Sequence, residues 1–119
     1  LLQNGYAVLS DLDYEPGSSK LGAGPFRSLQ ELADFMENQP EAEIILVGHT
    51  DNTGASDANI ALSKRRAASV VERLVTKYGI AAKQLTADGV GFLAPLTANT
   101  ADSGRERNRR VEAVIKRLP

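Results

Sequence analysis

The 119-residue chain contains no cysteine and no tryptophan, and only one histidine and one methionine. Without cysteine there is no disulfide, no thiolate zinc site and no thiol nucleophile. The compartment stays open, because periplasmic domains also lack disulfides in many cases. Aromatic residues are few, three Phe and three Tyr, so the stacking platforms that hold single-stranded nucleic acid are scarce. Neither sign of charge dominates: 14 basic and 15 acidic residues leave a formal net charge of −1. No strong global field therefore favours nucleic acid or anionic lipid as a partner. No apolar run approaches the ~20 residues needed to cross a bilayer, and no signal peptide is visible. The chain begins at Leu1 rather than Met, from which we expect a mature or excised fragment whose tether lies upstream.

What remains is the composition of a soluble globular domain, 42% hydrophobic and 24% charged. The length fits one domain, residues 1–119, with a core of moderate size. Tyr6 to Leu12 reads as a first strand, followed by turn chemistry from Tyr14 to Ser19. A first helix is expected from near Pro25, with Phe26, Leu29, Leu32, Ala33 and Met36 as its buried stripe and Asn38-Gln39-Pro40 as its end. The run Ile44 to Val47 suits a strand central in a sheet or covered on both faces. A second helix should start at Ser56 or Asp57 and run to about Tyr78, stopped by Gly79. A short strand near Gln84 to Gly89 and a loop from Gly91 to Gly104, with one helical turn at Asp102 to Arg107, precede a last strand from Arg109 to Ile115. The order β-α-β-α-β-(loop)-β predicts an α/β two-layer sandwich: a four-stranded mixed sheet with both main helices on one face and an antiparallel last strand.

Two charges stand where charges are costly. On a helical projection, Leu62, Ala67, Val70, Val71, Leu74, Val75 and Tyr78 form one apolar arc, while Lys64, Arg65, Ser69, Glu72 and Lys77 fall opposite. Arg66 lies inside the apolar arc, and a guanidinium buried there without a partner would cost several kcal/mol. Asp51, fifteen positions earlier, follows the second strand at its carboxyl end, where open α/β sheets form ligand crevices. The two could form a plain ion pair between loop and helix. They could equally grip a ligand that carries both an ammonium and a carboxylate.

Other chemistries find less support. His49 and Asp51 share a face of an extended strand, and Ser63 would complete a hydrolase triad on paper. No nucleophile elbow surrounds Ser63, however, and it plots at the centre of the buried arc. Asp51-Asn52-Thr53-Gly54 hints at a calcium loop, but the twelfth loop position is Leu62, where a bidentate Glu is required. Gly89-Val90-Gly91 lacks the third glycine and following helix of a dinucleotide fingerprint. Arg105, Arg107, Arg109 and Arg110 form a basic cluster that reads as a solvated or salt-bridged face. No catalytic residue, metal or cofactor is expected.

The ordered motifs Gly48-His49-Thr50-Asp51-x-x-Gly54, Asn59-x-x-Leu62-Ser63-x-x-Arg66-Ala67-x-x-Val70, Gly89-x-Gly91 and Asn108-Arg109-Arg110-Val111-Glu112 resemble the OmpA-like domain. This is the peptidoglycan-binding module of outer-membrane protein A, the peptidoglycan-associated lipoprotein and the motor protein MotB. The resemblance covers the chain from about Tyr6 to Ile115. It implies a non-enzymatic periplasmic domain that holds the diaminopimelate-containing stem peptide of the cell wall and anchors an outer-membrane or envelope protein. By that resemblance Asp51 would take the ligand ammonium and Arg66 its carboxylate, with Asn59 lining the pocket. The rim Tyr14-Glu15-Pro16-Gly17 departs from the Phe-Asp-Thr/Ser pattern usual in the family, and Pro16 offers no N–H there. Tyr14, Glu15 and Gly17 are nonetheless expected at the pocket's edge. The rival expectation is a scaffold or protein-interaction domain that keeps the fold without wall binding, with Asp51–Arg66 as a structural salt bridge.

Overall fold

A computed structural model of the chain describes residues 6–15, 17–50, 56–91 and 110–117. The elements follow in the order β1 (Tyr6–Val8), α1 (Arg27–Asn38), β2 (Glu43–His49), α2 (Ser56–Tyr78), a single 3-10 turn (Ala82–Gln84), β3 (Leu85–Gly91) and β4 (Arg110–Arg117). The strands form one mixed sheet in the order β1-β4-β2-β3. As expected, the last strand runs antiparallel, to both β1 and β2, while β2 and β3 are parallel neighbours. The last strand occupies the interior of the sheet and separates β1 from β2.

Alternation decides which face is buried. Ile44 and Leu46 of β2 are buried, whereas Ile45 and Val47 between them are only half-buried. Register carries this face across the sheet: Leu46 stands between Ala87 and Ala113, and Ala113 pairs in turn with Ala7. The helices cover that face. Phe26, Leu29, Leu32, Ala33 and Met36 from the α1 segment join Ala67, Val70 and Leu74 of α2 and the inward strand residues in one core. The stripe expected for α1 is therefore the stripe observed.

The next row along the sheet, Val111–Gly48–Gly89, is where α2 comes closest. A methyl group at Gly48 would lie under 3.0 Å from the Ser63 carbonyl oxygen, and one at Gly89 equally close to the Lys64 nitrogen and the Ser63 hydroxyl. The helix backbone thus rests directly on the sheet, which only hydrogen side chains permit at these two strand positions. Ser63 is completely buried at this contact and donates its hydroxyl to the Ile60 carbonyl at 2.8 Å.

Several boundaries differ from expectation for local reasons. β1 ends at Val8 rather than Leu12 because Ser10 and Asp11 turn, although the Leu9 N–H still reaches the Val111 carbonyl at 2.9 Å. Asp11 is used elsewhere. Its carboxylate accepts the Ser28 backbone N–H at 3.1 Å and the Ser28 hydroxyl, capping α1 from seventeen residues away. Phe26, at the helix's own N-cap position, supplies no side-chain cap, so α1 starts two residues after Pro25. Burial pushes the Asp11 carboxyl up, but the hydrogen bonds from Ser28 outweigh it and hold the carboxyl below its ordinary range. β3 begins one residue late, after the 3-10 turn, and β4 is displaced toward the C-terminus. The helical turn expected at Asp102 to Arg107 lies outside the described residues. No helix among the described residues is long and apolar enough to cross a membrane.

Two stability measurements check this packing. Gly48→Ala is expected to lower the unfolding free energy by about 3 kcal/mol in urea denaturation, since backbone rather than a mobile side chain must yield. Asp11→Ala is expected to cost about 1 kcal/mol at pH 7, as for loss of a helix cap. Because the folded-state pKa of Asp11 is depressed, its contribution is present above the unfolded carboxyl value near ~4 and fades as pH falls through the folded value. Wild type and variant should therefore converge in acid.

Candidate ligand-binding site

Beyond the Gly48–Gly89 contact, α2 turns Arg66 toward the carboxyl end of β2. Arg66 is 7% exposed, as its helical phase predicts. It lines a small cavity of about 50 Å³ with Leu9, Ser10, Leu12, Tyr14, His49, Arg110 and Val111. The guanidinium is oriented by the segment that follows β1. Arg66 Nε donates to the Ser18 carbonyl at 2.8 Å and Nη2 to the Glu15 carbonyl at 3.3 Å. The Tyr14 ring lies 5.0 Å from the guanidinium carbon, within cation–π range. Buried charge is thereby compensated by backbone dipoles and a ring face. These partners are 48 to 52 residues away in sequence, so helical phase alone could not name them.

Tyr14 is locked in return. Its hydroxyl donates to the Arg66 carbonyl at 2.9 Å and lies 3.2 Å from the Ser69 hydroxyl, which itself donates to the same carbonyl at 2.7 Å. Burial raises the Tyr14 pKa, against smaller lowering influences from the Ser69 hydrogen bond, Arg66 and Arg73. The phenol accordingly remains a donor throughout the neutral range. Ser69, placed with the solvated residues by helical projection, is instead half-buried because this tyrosine reaches it.

Glu15 and Gly17, expected at the pocket's edge, belong to the turn that follows Tyr14 and are not among the residues lining the cavity. The Ser18 N–H closes a turn on the Glu15 carbonyl at 3.0 Å, and Gly17 has φ 73, the conformation a type II turn requires at its third residue. The Glu15 side chain is exposed, and its carbonyl is the group directed at Arg66. A second arginine, unnoticed in the sequence, extends the clamp. Arg73, seven residues after Arg66 and so on the same helix face, donates from Nη2 to the Gly22 and Leu21 carbonyls at 2.9 and 3.4 Å, and from Nη1 to Ala23 at 3.3 Å. The interval of seven was the available signal.

On the strand side, Glu112 bridges two cavity residues. Its carboxylate lies 2.7 Å from His49 Nε2 and 3.4 Å from Arg110 Nε. His49 is thus set against the Glu112 carboxylate, and Ser63 is sealed beneath α2 with its hydroxyl on the Ile60 carbonyl. Asn59, in the first turns of α2, is buried, and it is not among the described residues that line the cavity. Asp51, Arg105, Arg107 and Arg109 lie outside the described residues, as does Pro16. The described lining of the cavity holds two arginines and one histidine, of which Arg110 and His49 already face the Glu112 carboxylate.

The OmpA family model matches residues 14–109. Outer membrane porin F of Pseudomonas aeruginosa is 36% identical over 109 residues, covering 92% of this chain and 31% of that protein. The peptidoglycan-binding protein ArfA of Mycobacterium tuberculosis is 38% identical over 90 residues, covering 76% and 27%. The chain therefore spans about a third or less of the length of these relatives. Among solved structures, a MotB-like protein from Desulfovibrio vulgaris superimposes with a TM-score of 0.78 at 33% identity, covering 100% of this chain and 78% of that one.

The clamp is testable without any ligand. Tyr14→Phe keeps the ring and removes the hydroxyl, and is expected to cost about 1 kcal/mol in urea unfolding. Arg66→Lys should cost more, about 2 kcal/mol, because a single ammonium cannot reproduce the fork that spans the Glu15 and Ser18 carbonyls.

Proposed function

Because the chain belongs to the OmpA family, we propose that it binds peptidoglycan non-covalently through the diaminopimelate of the stem peptide, and performs no chemistry on it. The observation that carries this reading is the position of Arg66: buried, aimed into a cavity at the carboxyl end of β2, and already oriented by two backbone carbonyls and the Tyr14 ring. A guanidinium held in this way gives up little conformational freedom when a carboxylate arrives. Arg66 takes the ligand carboxylate. Asp51, which directly follows Thr50 after β2, takes the ammonium. Asn59 and the Tyr14–Gly17 rim bound the ligand on either side.

Charge-assisted hydrogen bonds contribute about 1.5–3 kcal/mol each. Two of them distinguish a zwitterionic centre from a lone amine or a lone acid by at least about tenfold each. The similarity to a protein named for peptidoglycan binding supports the same polymer here. Similarity to a porin supports the wider role, a periplasmic anchor that ties an outer-membrane or envelope protein to the wall. The burial of Ser63 and the engagement of His49 by Glu112 support the non-enzymatic part.

One observation favours a second reading. Arg66 already spends Nε and Nη2 on the rim, which is what a scaffold domain without wall binding would need of it. Co-sedimentation with purified peptidoglycan separates the two. Wild type is expected in the pellet, with Asp51→Asn and Arg66→Ala each reducing bound protein by roughly tenfold or more. Asp51→Asn is the cleaner probe, since Arg66→Ala also loosens the rim. If both folded variants pellet like wild type, the two-point grip is wrong; if wild type itself stays in the supernatant, the scaffold reading stands.

A further inference from the structure

We propose that the groove between α2 and residues 19–21 is a second subsite, taking another carboxylate of the same stem peptide; it rests on the peptidoglycan reading given above. The groove encloses about 460 Å³ and is lined by Lys20, Arg65, Ser69, Glu72 and Arg73 among others. Its α2 residues recur at three- and four-residue intervals from Arg65 to Thr76, so they form one stripe along the helix. Ala68 and Ser69 keep the floor low between long cationic side chains.

Charge is concentrated here. Lys20, Arg65 and Arg73 against Glu72 give three positive and one negative, net +2, on a chain whose total is −1. Arg65 differs from the other arginines whose side chains are described. Arg27 pairs with Glu31, Arg110 with Glu112, and Arg66 and Arg73 hold loop carbonyls. Among the described residues, neither the Arg65 guanidinium nor the Lys20 ammonium has a hydrogen-bond or ion-pair partner. Both line the groove, Lys20 from the segment after the rim and Arg65 from α2.

The place of this groove matches a peptide that has already been caught at Arg66. Arg66 grips the Ser18 carbonyl, and the chain continues directly as Ser19, Lys20 and Leu21, the groove's wall. Arg65 and Arg73 are eight residues apart, roughly 12 Å along the helix axis, a span of about four extended residues. A short peptide leaving the cavity over the rim thus meets a strip of positive charge of its own length. A free carboxylate on that peptide is the group it accepts.

Calorimetric titration of the chain separates this subsite from the main one. The ligands are diaminopimelate alone, a stem peptide with one additional free carboxylate, and the same peptide with that carboxylate amidated. The variant is Lys20→Gln with Arg65→Gln, two exposed positions outside the cavity. Wild type is expected to bind the acid form about three- to tenfold more tightly than the amidated form at low salt, with the preference shrinking as salt is raised. The double variant is expected to lose that preference while binding diaminopimelate as wild type does. Equal affinity of wild type for acid and amide forms, or an unchanged preference in the variant, overturns the subsite and leaves the main site standing. Failure of wild type to bind diaminopimelate overturns both.

Discussion

The arrangement depends on one close contact, the backbone of α2 resting on Gly48 and Gly89. Any side chain at either position would lift the helix, because the groups opposite include backbone that cannot swing aside, the Ser63 carbonyl at Gly48 and the Lys64 amide at Gly89. With the helix seated there, Ser63 is the point of contact and Arg66, three residues further along α2, reaches the cavity beyond the row Val111–Gly48–Gly89. Two turns later Arg73 lands beside the Leu21, Gly22 and Ala23 carbonyls. The height of one helix above one pair of glycines therefore sets both the cavity and the rim that borders it.

Arg66 has two roles that compete less than they first suggest. A guanidinium has five donors in a fixed plane, and the rim carbonyls use Nε and Nη2 on one side of it. This engagement offsets part of the cost of burying the charge and restrains the side chain to one rotamer. Tyr14 adds to the restraint from below, with its ring against the guanidinium and its hydroxyl on the Arg66 carbonyl. In the Tyr14–Gly17 segment, which departs from the family's usual pattern, the contact to Arg66 comes from the Glu15 carbonyl, joined by that of Ser18.

Much of this was legible in the sequence where the signal is local and periodic. The α1 stripe from Leu29 to Met36, the burial of Ser63 and the inward phase of Arg66 all follow from 3.6-residue periodicity, which tertiary packing then enforces. Features that pair distant residues were not legible. Asp11 reads as the end of a strand until Ser28 is placed beside it, and that placement depends on how α1 returns across the sheet. The interior position of β4 has the same origin, since no local pattern distinguishes a central antiparallel strand from an edge one. Helical phase places Ser69 on the solvated face, and nothing nearby in sequence announces that Tyr14 will cover it. For Asp51, the expectation rests on its place after β2 and on the family motif.

The account's central claim is that the buried, pre-oriented Arg66 receives a ligand carboxylate. A crystal structure of the chain with diaminopimelate tests this most directly. The account predicts one zwitterionic end of the ligand in the cavity lined by Tyr14, His49 and Arg110, its carboxylate within about 3 Å of the Arg66 guanidinium and its ammonium on Asp51. A ligand seated elsewhere, with Arg66 bound only to the Glu15 and Ser18 carbonyls, would contradict it.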